Sequence, residues 1–248
     1  MGPSGGPKLI LIDTSALLPL LYCGHGQLLR SIESRYGIQF GVVQAVKSET
    51  QNGLSPPHKF AGRQESLRKA ISNKTLTVVD EVYLRSKFDR VGESLSRQCD
   101  EEGEKLFYAG LDRGEAYTYG ASLTLSCPVV NEDASALKRL LRERAQVPTP
   151  HLRLWDVIVF GLQAELLTQR QCDDTRSQLL KLQERLPQCF RDRSVGDGLS
   201  SFYCRLTDPT KPQIGADANQ ETFDDFGRLE LTPIDAELNA LPPVHPGT

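Results

Sequence analysis

The sequence predicts an α/β fold, a three-layer α/β/α sandwich around a mainly parallel central sheet, and two observations favour it. The chain opens with an unbroken apolar run at residues 8–12, which is typical of a strand buried on both faces. Further short apolar or β-branched runs at residues 37–43, 75–79 and 127–130 alternate with segments of helical periodicity. Such alternation indicates strands joined by helices, and therefore a parallel sheet.

The predicted helices account for most of the remaining chain up to residue 186. Each begins near a polar capping residue or carries apolar residues at helical spacing. They are expected at residues 14–22, 27–35, 44–50, 58–73, 84–111, 134–145, 157–168 and 175–186, with one more beginning near Gly114.

The domain organisation follows from a change of character at Pro187. Residues 8–186 show sustained periodicity and are predicted to form one domain. From residue 187 to residue 248 glycine and proline punctuate the chain without sustained periodicity. We expect this segment to be an irregular tail, disordered or ordered only against a partner.

Composition narrows the class of protein. The chain has 248 residues, of which 39% are hydrophobic and 25% are charged, as in ordinary globular proteins. Its net charge of -3 gives no global reason to bind nucleic acid, so such a partner would need a local basic patch. The six cysteines form no C-x-x-C pair, which favours reduced thiols in a cytoplasmic protein. The first apolar run is too short for a membrane span and lacks the basic start of a signal peptide.

Acidic residues follow two of the predicted strands. Asp13 ends the first apolar run and Asp133 follows the run at 127–130, while Glu49 and Glu115 lie on helices that would flank the same edge. Ligands of open α/β sheets bind at the carboxyl ends of the strands, so these acids are candidate site residues. The alternative for Asp13 is a structural helix cap, since Asp, Thr and Ser are preferred at that position.

Four converging carboxylates favour a hard cation. They repel one another unless a cation is shared, and oxygen ligands favour Mg²⁺ or Mn²⁺ over zinc. Such a cation can acidify a bound water and stabilise displacement at phosphorus. The sequence has no Walker loop, no nucleophile elbow and no dinucleotide fingerprint. Metal-assisted phosphodiester hydrolysis is therefore favoured over a phosphatase, whose Asp-x-Asp pattern is broken at Ser15.

Two groups of basic residues are candidate phosphate contacts on helices of this acidic chain. The alternative is that they are ordinary solvated helix faces. The first group lies before residue 70 and consists of Lys59, Arg63, Arg68 and Lys69. The second group follows Asp133 and consists of Lys138, Arg139 and Arg142.

The order of the acidic motifs resembles the PIN-domain family of metal-dependent nucleases, over about residues 8–186. That family opens with an apolar strand ending in Asp-Thr-Ser, matched at residues 12–18, followed by an acid on an early helix, matched at residues 42–49. Gly114-Glu115-Ala116 is similar to a Gly-Glu-Ala helix start in a subgroup, and residues 129–133 resemble its strand leading into an acidic turn.

The resemblance implies a PIN-like fold and an endoribonuclease that cleaves RNA with the help of Mg²⁺ or Mn²⁺. The expected substrate is single-stranded RNA. By resemblance the metal would be held by four acids: Asp13, Glu49, Glu115 and Asp133. Ser15 or Asn131 would support them through hydrogen bonds. The neighbouring Glu132 leaves open which acid is the fourth ligand. The resemblance also allows a toxin-like role, a protein partner or inhibitor, and a homodimer. The competing hypothesis is a non-catalytic PIN-fold protein that recruits a partner through its C-terminal tail.

Overall fold

The central sheet is the feature that positions the candidate acids. A computed structural model describes residues 8–52, 60, 64–143 and 151–202. In this part of the chain five strands pair in parallel in the order β3-β2-β1-β4-β5. This confirms the predicted α/β class with a parallel sheet. The strands are β1 (Lys8–Ile12), β2 (Ile38–Val43), β3 (Thr77–Val79), β4 (Val129–Val130) and β5 (His151–Leu152).

Helices account for most of the other described residues, an arrangement compatible with three layers. The first three helices lie within a few residues of their predicted bounds. The described helices are α1 (Thr14–Tyr22), α2 (Gly26–Tyr36), α3 (Gln44–Asn52), α4 (Gln64–Ser72), α5 (Glu81–Phe88), α6 (Gly92–Tyr108), α7 (Arg113–Leu125), α8 (Ala134–Glu143), α9 (Leu154–Gln163), α10 (Gln169–Lys181), α11 (Gln188–Arg191) and α12 (Val195–Gly198), with 3-10 turns at Asp89–Val91 and Leu199–Ser201.

The sheet order has a switch point between β1 and β4. From β1 the chain adds β2 and β3 on one side, then crosses to place β4 and β5 on the other. Leu11 of β1 aligns with Gly41 of β2 and with Val129 of β4. Because helices leave neighbouring strands in opposite directions at such a point, a crevice opens at the carboxyl ends of β1 and β4. Asp13 and Asn131 are the first residues beyond those two strand ends.

The core is built on the central strands β1, β2 and β4, whose described side chains are almost all buried, as the first apolar run predicted. Leu11 and Ile12 of β1 and Val42 of β2 are inaccessible to solvent. An unbroken apolar strand avoids exposing hydrophobic surface only where both faces of the sheet are covered. This packing fixes the backbone from which the site residues project.

One predicted helix is wrong in its continuity. The periodicity of residues 84–111 predicts one helix, but the chain forms α5 and α6 with a 3-10 turn between them. Asp89 has a left-handed φ of 48°, which interrupts regular helical geometry. Gly92 lies against the Leu84 carbonyl, where any Cβ would clash. The turn therefore depends on close backbone packing that a hydrophobic pattern does not encode.

The predicted domain boundary at residue 187 is also corrected. Residues 187–202 were assigned to an irregular tail, but they form α11, α12 and a 3-10 turn. Phe190 is fully buried, with its ring centroid 4.8 Å from that of Trp155 and 4.9 Å from that of Phe202. Aromatic burial of this kind stabilises short helices that have no periodicity of their own. The rest of the predicted tail, residues 203–248, lies outside the described residues.

Within the described residues, none of the helices has the length and apolar character needed to cross a bilayer. The five cysteines described there, Cys23, Cys99, Cys127, Cys172 and Cys189, are not joined to one another by disulfides.

Candidate acidic site at the switch point

Asp13 caps a helix and also lines the acidic cleft, so the two alternatives drawn from the sequence do not exclude each other. Its Oδ2 atom accepts a hydrogen bond from the backbone N–H of Ser15 at 3.0 Å, which caps α1. Its Oδ1 atom is buried and has no hydrogen-bond partner among the described residues. An unsatisfied buried carboxylate oxygen is costly. The cap therefore uses one oxygen and leaves the other available to a ligand.

Glu49 approaches Asp13 from α3. Its Oε2 atom accepts a hydrogen bond from the Thr14 hydroxyl at 3.0 Å. Gly114, at the start of α7, lies so close that a Cβ there would clash with Oε2 of Glu49 and would stand 3.6 Å from Oδ1 of Asp13. Glycine at this position therefore lets the start of α7 approach the two carboxylates directly.

Glu115 projects from the first turn of α7 and is only 9% exposed. Its Oε2 atom accepts a 3.4 Å hydrogen bond from the backbone N–H of Asp112. This contact caps the helix, since the first N–H groups of a helix have no partner within it. The sequence prediction that Glu115 lies at a helix N-terminus is confirmed.

The turn after β4 is held by Ser15 and Asn131, the two residues predicted to support the site. The Ser15 hydroxyl donates to Oδ1 of Asn131 at 2.9 Å and accepts from the backbone N–H of Glu132 at 3.0 Å. Oδ1 of Asn131 also accepts from the backbone N–H of Asp133 at 2.6 Å. These bonds tie the end of β4 to the start of α1, and so fix Asp133 relative to Asp13.

Glu132 and Asp133 have different surroundings. Glu132 pairs with the buried guanidinium of Arg153, with Oε2 2.9 Å from Nη2, and accepts from the Leu154 backbone N–H at 2.6 Å. Asp133 accepts from the Ser135 backbone N–H at 2.7 Å and forms no salt bridge with any described residue. The structure therefore gives Glu132 a structural partner and leaves Asp133 as the candidate fourth ligand.

The four predicted acids line one cleft of ≈ 530 Å³. Seven carboxylates contribute to its described lining, whereas Arg185 is the single basic side chain there. Burial raises the pKa of Asp13 to about 6, and the nearby Glu49 carboxylate adds to the rise. Burial also raises the pKa of Glu115 to about 8, reinforced by Asp13 and Asp133. Negative charge in this cleft is therefore poorly compensated by the protein itself.

Asp133 behaves differently because its hydrogen bonds stabilise the ionised form. Burial on its own would raise its pKa, but hydrogen bonds from Ser135, from the Ala136 backbone and with Glu115 together outweigh that effect and lower the pKa. Opposed shifts in neighbouring carboxylates are a mark of functional sites.

The residues present fit a hard divalent cation by chemistry. Carboxylate oxygens are the donors that Mg²⁺ and Mn²⁺ prefer, and the unpartnered Oδ1 of Asp13 is a candidate ligand atom. Among the described residues, however, no three acidic, histidine or cysteine side chains are grouped closely enough to form a ready metal site. The arrangement is thus an open acidic cleft and not a closed cage of ligands.

A buried network behind the turn was missed by the sequence reasoning. The Nε2 atom of His151 lies 3.1 Å from the Asn131 carbonyl oxygen, and its Nδ1 atom lies 3.0 Å from the Tyr119 hydroxyl. Since a carbonyl only accepts, Nε2 carries the proton and Nδ1 accepts from Tyr119. All three residues are buried. Only the polar character of His151 and Tyr119 beside apolar segments could have indicated this network.

The predicted basic groups differ in their pairing. Arg68 and Lys69 on α4 are exposed and lie 3.6 Å and 3.9 Å from carboxylate oxygens of Glu65. Lys138, Arg139 and Arg142 on α8 form no salt bridge with the described residues, although Arg139 donates to the Gly110 carbonyl. Lys59 and Arg63 lie outside the described residues.

A larger cleft of ≈ 990 Å³ adjoins the acidic site and shares Glu49 and Gly114 with it. Its described lining contains one basic side chain, Arg113, and several further carboxylates: Asp80, Glu81, Asp100 and Glu104. This second cleft is therefore also acidic.

No protein-family model matches this sequence, and no curated protein matches it either.

Proposed function

We propose that this protein is a PIN-like endoribonuclease that hydrolyses RNA phosphodiester bonds with Mg²⁺ or Mn²⁺. The observation that carries the proposal is the cleft at the sheet switch point, where burial raises the pKa values of Asp13 and Glu115 and a single basic side chain, Arg185, stands among seven carboxylates of the described lining. Such charge destabilises a fold, so it is best understood as a site for a ligand of opposite charge. The preference for RNA and a toxin-like role rest on the motif resemblance, and the cytoplasmic location rests on the cysteine pattern and the character of the first apolar run.

The chain's own residues divide into ligands and supports. Asp13 and Asp133 would hold the cation, with Glu49 and Glu115 completing the site and one of them orienting the attacking water. When bound, the cation would acidify water and stabilise charge developing at phosphorus. Ser15 and Asn131 fix the turn that carries Asp133. Glu132 instead stabilises the start of α9 through Arg153 and Leu154.

The test is cleavage of end-labelled single-stranded RNA in Mn²⁺, with EDTA as the metal-free reference. Asp13→Asn and Asp133→Asn preserve side-chain shape while removing charge, so each should lower the cleavage rate by about 10³-fold or more, as is found for groups acting as one unit. The double variant should be little worse than either single variant. Glu132→Gln, assayed where it remains folded, should lose much less activity.

Two results would contradict this assignment in different ways. Wild-type cleavage by Asp13→Asn would remove the acidic cleft from catalysis. Inactivation by Glu132→Gln with full activity in Asp133→Asn would keep the nuclease and move its fourth ligand by one residue.

A second candidate function is a non-catalytic binding protein with the same fold. One observation favours it, the lack of a ready metal group among the described residues. Under this hypothesis the purified wild-type protein cleaves no RNA in Mg²⁺ or Mn²⁺, and deletion of residues 203–248 abolishes capture of a protein partner.

A further inference from the structure

We infer that the end of α6 and the adjoining face of α8 form a binding surface for single-stranded nucleic acid, in which Tyr108 and Phe107 stack on bases. This aromatic-basic surface consists of Lys105, Phe107, Tyr108, Arg139 and Arg142. The inference deepens the proposed function and rests on it for the identity of the substrate.

Tyr108 and Phe107 are exposed without a structural reason. Tyr108 is 84% exposed and Phe107 is 46% exposed, while the preceding Leu106 is buried and anchors the helix. The two rings contact each other edge-on, with centroids 5.9 Å apart. Large exposed aromatic side chains that sit together often mark binding surfaces. Unpaired bases stack on such rings whatever their sequence.

The aromatic pair lies beside the proposed catalytic cleft. The backbone N–H of Gly110 donates to the Phe107 carbonyl, and two residues later Asp112 lines the cleft. Asp112 is the fourth residue after Tyr108, so their Cα atoms lie at most about 14 Å apart. A bound strand that stacked on Tyr108 could therefore extend into the cleft.

Helix α8 brings positive charge to the same place. It begins directly after Asp133, and Arg139 lies about 9 Å further along its axis. Arg139 donates to the Gly110 carbonyl, which joins α8 to the turn that follows the aromatic pair. Arg142, three residues further, shares the helix face of Arg139 and is exposed. Phosphates next to the stacked bases would meet these guanidinium groups.

The charge of the neighbouring cleft favours the aromatic-basic surface as the route by which a nucleic acid reaches the acidic site. The larger cleft beyond Glu49 has carboxylates from Asp80, Glu81 and Asp100 in its lining, which would repel a phosphate backbone. The α4 group is less suitable as well, because Arg68 and Lys69 already face Glu65. Of the described surfaces next to the acidic site, the aromatic-basic surface combines exposed rings with two arginines, Arg139 and Arg142, that form no salt bridge with a described residue. Lys105, at its edge, lies 3.4 Å from a carboxylate oxygen of Glu102.

The experiment measures binding separately from cleavage. Fluorescence anisotropy with a labelled oligouridine, in EDTA, gives the affinity of the full chain. Tyr108→Ala should weaken binding by about 10-fold, within the range found when one stacking residue is removed. Tyr108→Phe should bind like the wild type. The matched control is Val82→Ala, which removes an exposed apolar side chain on α5 that is 76% exposed and should change nothing.

A second probe separates bases from phosphates. An abasic oligonucleotide of the same length should bind the wild type more weakly and be insensitive to Tyr108→Ala. Arg142→Gln should weaken binding of both probes and reduce the slope of log affinity against log salt by about 0.7, the value for one lost phosphate contact on a single strand.

Three outcomes overturn the inference. They are an unchanged oligouridine affinity in Tyr108→Ala, equal wild-type affinity for the abasic probe, and a wild-type dimer that Tyr108→Ala dissociates without altering RNA binding. The last would make the surface a contact between copies of the chain. Tyr108-dependent binding without any cleavage would support the inference and refute the nuclease proposal. RNA cleavage whose rate is unchanged in Tyr108→Ala would support the nuclease proposal and refute the inference about the aromatic-basic surface.

Discussion

Glu132 and Asp13 are carboxylates at the same edge of the sheet, yet their surroundings are opposite. Glu132 is neutralised by Arg153 and accepts a backbone hydrogen bond from Leu154. Asp13 is buried with one oxygen unpartnered, and burial raises its pKa to about 6. A compensated buried acid supports the fold, whereas an uncompensated one weakens it. The difference separates a structural acid from a candidate functional acid more clearly than sequence position does.

The largest expected effect comes from breaking the compensated pair. Glu132→Gln removes the Glu132 charge from the buried guanidinium of Arg153, and breaking a buried ion pair costs about 3–5 kcal/mol. For a chain of this size we expect a melting temperature about 10 °C lower. Asp13→Asn removes an unfavourable buried charge and should raise the free energy of unfolding by about 1–3 kcal/mol at pH 7.5. Urea unfolding with EDTA present measures both.

The contrast between Glu132 and Asp13 fails if their stability effects are exchanged. A more stable Glu132→Gln together with a strongly destabilised Asp13→Asn would show that the unpartnered acid is the structural one.

The pH dependence of stability sharpens the contrast. The pKa of Glu115 is raised from 4.5 to about 8, so the folded state of the metal-free protein holds a proton that the unfolded chain releases. Folding stability therefore falls as the pH rises through this window. Between pH 6 and 8.5 the wild type should lose about 2 kcal/mol more than Glu115→Gln. The burial-lowered pKa of His25 acts in the opposite direction, and subtracting the two proteins removes its contribution.

This prediction is checked by urea unfolding at several pH values in EDTA. Parallel curves for the wild type and Glu115→Gln would show that the acidic cleft does not destabilise the fold.

The smallest expected effect is stabilisation by the cation. A cation that binds only the folded state at ten times its dissociation constant adds about 1.4 kcal/mol, or roughly 3–5 °C in melting temperature. Mg²⁺ or Mn²⁺ should produce this shift in the wild type but much less in Asp13→Asn. Calorimetric scans with and without Mn²⁺ give the values. A flat response of the wild type across millimolar Mn²⁺ would argue against a metal in the cleft.

Periodicity and strand composition were enough to predict much of the fold. The all-apolar run of β1 could be satisfied only in a sheet covered on both faces, and the bounds of α1 followed from Asp13 as a cap and the apolar residues behind it. The break between α5 and α6 could not be predicted, because it depends on Gly92 meeting the Leu84 carbonyl. Residues 187–202 likewise fold through the burial of Phe190, which no local pattern signals.

The sequence by itself determined which acids follow which strands, and the order of those motifs suggested that Asp13, Glu49, Glu115 and Asp133 belong together. Only the tertiary structure decided which of the acidic side chains at this edge of the sheet has its negative charge compensated by a basic side chain or by hydrogen bonds. Arg153 and Tyr119 are remote in sequence from the residues they influence, and packing alone brings Arg153 to Glu132 and Tyr119 to the network behind the Asn131 turn. Local sequence fixes strands and caps because those depend on neighbouring residues, whereas burial and charge compensation depend on contacts between distant parts of the chain.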